Sequence, residues 1–181
     1  MKESQRLGLL SLIVARLNGA KSWTGRMHIH KLIYFAQELL HVQSNYEFVL
    51  YQRGPYSFDL DGDIRSLRSI GGVEIRPAPA PPYGPSYVAT SFANALIQLS
   101  PVDKEMEQKL TELAQLLGPK TARELELLAT THYVVDEGHE SDKDIVERVL
   151  SLKPQFDKVD AEKALVEVRQ LQKEFMWAGQ A

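Results

Sequence analysis

Apolar residues between Ser4 and Leu17 return every three to four positions. Leu10, Ile13, Val14 and Leu17 form one stripe that Leu9 and Leu12 widen, the period of an amphipathic helix. Asn18-Gly19 then predicts a left-handed cap. The next segment, about Thr24 to Val42, carries Ile29, Leu32, Ile33, Phe35, Ala36, Leu39 and Leu40 on nearly every side. A helix apolar all round is a central one, so this segment is expected to form the core. Tyr46 to Tyr51 alternates and is rich in aromatic and β-branched residues, which predicts a short strand. Gly54-Pro55 predicts a rigid corner after it, and Ser57 an N-cap for a helix with Leu60, Ile64, Leu67 and Ile70 inward.

Val73–Arg76 and Ser86–Thr90 read as two strands on either side of a loop with five prolines in nine residues, 77–85. So many prolines make a stiff protrusion. Three helices followed by a hairpin give a winged-helix-like core over residues 1–90. From Phe92 onward the pattern is helical: 92–99, 103–117, a capping box at Thr121/Glu124, a cap at Ser141, a break at Lys153-Pro154, and a last helix from Asp157 to about Ala178. Its apolar positions Ala161, Ala164, Val168, Leu171 and Phe175 step three and four apart. They form a narrow seam that packs either inside the chain or against a second copy. The expected fold is therefore mainly α with a small β hairpin, the winged-helix-like module being followed by a helical bundle over 91–181.

The 181 residues carry a net charge of only −3, but unevenly. Residues 1–90 hold 10 Lys/Arg against 7 Asp/Glu, a net of +3, and residues 91–181 hold 11 against 17, a net of −6. A polyanion would have to meet the first half. Cysteine is absent, which removes disulfides, thiolate metal sites and a cysteine nucleophile, and fits a reducing cytoplasm. The polar Met1–Arg6 start and the interruptions at Ser11 and Arg16 make neither a signal peptide nor a membrane span.

The sequence offers little reactive chemistry. His28 and His30 lie on different sides of one helix, and His41 is three turns from His30, so no metal site is expected. His132 sits on the inner stripe behind Leu125, Leu128 and Ala129 and reads as a core histidine. Asp59, Asp61 and Asp63 imitate the start of a calcium loop, but Ile64 and Ile70 stand where that loop needs Gly and Glu. No phosphate loop, nucleophile elbow or HExxH is present. No catalytic residue, metal or organic cofactor is expected, and the chain reads as a non-enzyme. As a DNA reader, the helix after Ser57 would use Arg65 and Arg68, with Arg76 on the wing. Three aspartates at its start oppose phosphate, so duplex binding is expected to be weak.

Two stretches are more specific: His30-Lys31-Leu32-Ile33-Tyr34-Phe35-Ala36 and Tyr51-Gln52-Arg53-Gly54-Pro55-Tyr56-Ser57. In this order and spacing they resemble the Panacea domain family of bacterial and phage antitoxins (the SocA-like proteins), and Tyr56-Ser57-Phe58-Asp59-Leu60 is closer to its uncharacterised YwgA-like branch. Lys31, Leu32, Tyr34 and Phe35 match the family's helical run, and Tyr51, Gly54, Pro55 and Tyr56 its strand and corner. His30 stands where glutamine is usual. The resemblance implies a protein that binds and neutralises a toxin or adapts a client, linked to phage defence, with a winged-helix DNA-binding regulator as the alternative. Lys31, Arg53 and Tyr56 are then the expected partner contacts, since Tyr and Arg anchor protein interfaces. The chain is expected to be a monomer, or a homodimer through the last helix.

Overall fold

The computed structural model describes residues 1–20, 22–78, 84–138 and 141–175. Eight helices and four short strands alternate as α1 (Glu3–Gly19), α2 (Arg26–Leu40), β1 (Val49–Tyr51), β2 (Gly54–Tyr56), α3 (Phe58–Ser69), β3 (Val73–Arg76), β4 (Ser86–Ala89), α4 (Ala93–Ile97), α5 (Lys104–Leu117), α6 (Ala122–Asp136), α7 (Asp142–Leu152) and α8 (Lys158–Phe175). The fold is mainly helical with two antiparallel two-stranded hairpins, β1–β2 and β3–β4.

The all-round apolar helix is central. α2 packs against α1, α5, α6, α8 and β2, and Leu32, Ile33 and Leu39 are fully buried with Tyr34 and Phe35. One hydrophobic cluster runs from Leu7 of α1 through α2, α3 and α5 to Phe175 of α8, and a second joins α6, α7 and the first half of α8. The seam of α8 is used inside the chain: Ala161 and Ala164 lie in the second cluster, Val168, Leu171 and Phe175 in the first. Nothing of it is left for a second copy.

Local chemistry fixes the helix starts as the sequence predicts. Ser57, Asp103, Thr121 and Ser141 each accept a backbone N–H of the first turn, and Thr121 with Glu124 completes a capping box. The end of α1 differs. The helix runs through Gly19 to an Ala20 cap at φ −78°, because Asn18 is engaged elsewhere: its Nδ2 donates to Thr24 Oγ1 and the Tyr87 carbonyl, and its Oδ1 accepts from Ala89 N–H. That amide ties the base of β3–β4 to α1. Gly8 lets α4 approach closely, since a Cβ there would stand 2.6 Å from the Leu96 carbonyl.

The second difference is at the Gly-Pro corner. Gly54-Pro55-Tyr56 is itself a strand, paired antiparallel with Val49–Tyr51 in the register Val49↔Tyr56, Leu50↔Pro55, Tyr51↔Gly54. The expected strand begins three residues late because Tyr46 turns inward to donate its hydroxyl to Asp63, which Arg6 also meets at 2.7 Å. The β3–β4 hairpin has the expected stems, and its proline-rich tip at 79–83 lies outside the described residues. So does the expected end of the last helix beyond Phe175.

Candidate functional site

The β1–β2 hairpin is held on α2 and α6 by buried charge. Lys31 of α2 is 1% exposed and donates from Nζ to the Pro55 carbonyl at 2.6 Å. Lys153, at the end of α7 and 3% exposed, donates to the Gln52 carbonyl and to Glu126 Oε1, the latter at 2.8 Å. Glu126 of α6 thus pairs with the buried Lys153 ammonium and also attracts that of Lys31. Burial, together with repulsion from Lys153, pushes Lys31 down to about 7 against the attraction of Glu126. Gly54 lies directly on this cluster at φ +81°.

The opposite face of the hairpin is aromatic and open. Paired residues share a face of a sheet, so Val49 and Tyr56 project together, with Tyr51 one pleat along. Tyr51 is 50% exposed and Phe58, the first residue of α3, 62%. Their rings lie 5.9 Å apart, and Tyr56 stands 5.7 Å from Tyr51 and 5.1 Å from Phe58. Three rings at these separations form one contiguous patch. Arg53 is exposed on the turn between β1 and β2, two residues after Tyr51.

Beneath the patch lies His30, 1% exposed, its ring stacked on Tyr56 at 4.4 Å with 9° between planes. Neither ring nitrogen finds a hydrogen bond among the described residues; Asp61 Oδ1 is 4.0 Å from Nε2. Asp61 in turn sits between two guanidinium groups, Arg26 at 3.1 Å and Arg65. Burial pushes His30 from 6.5 down to about 3, with Lys31 and Arg26 adding repulsion. The unfolded chain therefore takes up a proton on His30 below about pH 6.5 that the folded chain refuses until about pH 3. Stability falls with pH across that window, by up to about 1.4 kcal/mol per pH unit from this group. We expect His30→Phe, which keeps a ring on Tyr56, to flatten the dependence of the urea midpoint between about pH 6 and 4 relative to wild type. Equal slopes would assign the acid sensitivity to other groups.

The residues singled out in the sequence separate. Tyr56 and Arg53 meet at the hairpin, whereas Lys31 lies under it and supports it instead of facing a partner. Arg65 is occupied by Asp61, Arg68 is exposed on α3, and Arg76 pairs with Glu74 of the same strand. The three aspartates of α3 do not all face solvent: Asp61 and Asp63 are buried on arginines and only Asp59 is exposed. His132 is buried, 3.0 Å from the Tyr34 hydroxyl and 3.1 Å from Asp136. Among the described residues no three His, Cys, Asp or Glu side chains are placed to hold a metal ion, and no helix is long and apolar enough to cross a membrane. Sequence reasoning missed Tyr51 and Phe58 as surface aromatics and Lys153 and Glu126 as supports. Phe58 had a signal, an apolar residue at the exposed first position of a capped helix.

Compared with known proteins, the chain matches no family model and no curated protein.

Proposed function

We propose that this chain is a non-enzymatic protein-interaction module, an antitoxin-like or defence-linked regulator that binds a protein partner through the exposed face of the β1–β2 hairpin. The observation that carries the reading is the cluster Tyr51, Tyr56 and Phe58 beside Arg53, open to solvent on a hairpin whose back is fastened by Lys31, Lys153 and Glu126. Exposed rings on a rigid mount lose little conformational entropy on binding, and Tyr and Arg are the residues that anchor interfaces. The likeness of the Lys31–Phe35 and Tyr51–Tyr56 stretches to the Panacea domain supports a toxin or client as the partner.

A winged-helix DNA reader is the second reading, and one observation favours it: with Asp61 and Asp63 turned inward, the carboxylate opposition at the start of α3 is smaller than the sequence suggests. Even so, Arg65 and Arg76 are engaged with Asp61 and Glu74, leaving Arg68 as the open cation of that set.

Pull-down from the native host with wild type, with Arg53→Ala/Tyr56→Ala and with Tyr51→Ala/Phe58→Ala tests the first reading. A specific protein captured by wild type should be lost from both double variants, at least about tenfold, while Tyr51→Ala/Phe58→Ala, whose rings are exposed, keeps an unfolding midpoint close to wild type. Duplex DNA titrated at two salt concentrations should bind no tighter than about 10⁻⁴–10⁻⁶ M at physiological salt. Nanomolar, salt-steep and sequence-dependent DNA binding, abolished by Arg68→Ala, would replace the first reading with the second.

A further inference from the structure

The two edges of the β1–β2 hairpin differ. Pro55 has no N–H, so Leu50↔Pro55 is the pair without ladder hydrogen bonds, and Val49 and Tyr51 make the bonds to Tyr56 and Gly54. Alternate residues of a strand point their backbone groups to opposite sides. The Pro55 carbonyl must therefore face away from β1, and it does, onto Lys31 Nζ. By the same rule the N–H and C=O of Leu50 face away from β2. β2 is closed by α2 and α6, whereas β1 is the outer strand of a sheet of only two. Along it and the segment just before it exposure alternates, with Glu47, Val49 and Tyr51 out and Tyr46 in.

The sequence on this edge is complementary to itself. Reversed about Leu50, the segment Glu47-Phe48-Val49-Leu50-Tyr51-Gln52-Arg53 sets Glu47 against Arg53 and Val49 against Tyr51. The Val49–Tyr51 pair, aromatic against β-branched, is favourable across antiparallel strands, and Glu47 just before β1 and Arg53 on the turn after it bring opposite charges to the same end of such a ladder. No other register brings Glu47 opposite Arg53. Neither residue has an ion pair among the described residues. We propose that β1 pairs antiparallel with β1 of a second copy of this chain, about a two-fold axis through Leu50, giving a four-stranded sheet in the order β2–β1–β1–β2. Leu50 supplies the central pair of backbone hydrogen bonds, and each Glu47 meets the other copy's Arg53 on the turn. Such a contact is isologous and closes as a dimer. It goes beyond the binding of a foreign partner, which meets the aromatic face and not the strand edge.

The test is a charge exchange read by sedimentation equilibrium on the full chain. Wild type should show a monomer–dimer equilibrium by about 100 µM. Glu47→Arg and Arg53→Glu should each weaken it by about tenfold or more, because each replaces two attractive pairs with two repulsive ones. An equimolar mixture of the two variants restores both pairs and should dimerise again, as should Glu47→Arg/Arg53→Glu. Leu50→Pro removes the outward N–H, along with the half-buried leucine side chain, and should be monomeric; if it fails to fold, the charge exchange decides alone. A wild type that stays monomeric, or a dimer indifferent to either charge change, overturns the proposal, as does a mixture that gains nothing. Partner capture by Glu47→Arg separates the two readings: a foreign partner retained by this variant belongs to the aromatic face whether or not the dimer forms.

Discussion

Replacing Glu126 by Ala should cost about 3–5 kcal/mol of unfolding free energy, measured by urea denaturation, the range for removing one partner of a buried charge pair. The cost is high because Lys153 loses its carboxylate while remaining 3% exposed, and Lys31 loses the carboxylate attraction that opposes its burial. Most of the loss is therefore the penalty of stranded positive charge, and it should be recoverable. Lys31→Met alone leaves the Pro55 carbonyl without its donor and should be destabilising, yet added to Glu126→Ala it removes one of the two stranded ammonium groups. We expect the double variant to be more stable than the sum of the singles predicts, by more than about 1 kcal/mol. Additive losses would mean that the three groups do not act as a unit.

Gly54→Ala is the second large effect expected, about 2–5 kcal/mol. At φ +81° a side chain costs about 1–2 kcal/mol from backbone strain alone. The added methyl would also stand 2.8 Å from Thr130 Oγ1 and 3.2 Å from the Glu126 carbonyl, and forcing a methyl into such a contact costs about 1–3 kcal/mol more. The two contributions can be told apart. In a Thr130→Ala background the nearest obstacle is gone, and the loss on adding Gly54→Ala should fall toward the strain alone. An undiminished loss would place the whole cost in the backbone.

What could be read in advance was whatever repeats locally. The all-round apolar pattern from about Thr24 to Val42 marked the central helix, and the side chains of Ser57, Asp103, Thr121 and Ser141 marked four helix starts because a cap is written within three residues of what it caps. Strand β2 was hidden by its own composition: Gly-Pro is turn chemistry, and its pairing depends on a register that places proline where no donor is needed. The support of the hairpin was hidden by distance. Lys31, Glu126 and Lys153 come from three helices, and in sequence a lysine destined for a buried cluster looks like any surface lysine. The same applies to Asp61 and Asp63, whose partners Arg26 and Arg6 lie far back in the chain. Periodicity reports which face a helix buries; it carries nothing about which charges will be taken inside by a matching partner.

The Asn18 amide gives the fold a chemical clock. Asparagine followed by glycine is the pair most prone to lose its amide, because the unhindered glycine nitrogen can attack the side-chain carbonyl and close a five-membered imide. In the folded chain Gly19 belongs to α1, and both amide atoms of Asn18 are held by Thr24, Tyr87 and Ala89. Each excursion to the unfolded state releases them. An aspartate or isoaspartate formed there would return with an acceptor facing the Tyr87 carbonyl, where a donor had been. Ageing at this one position should therefore track time spent unfolded and convert a reversible transition into an irreversible one. Peptide mass spectrometry after repeated thermal cycles should find the one-dalton gain at Asn18 accumulating with cycles and absent from protein kept folded for the same time.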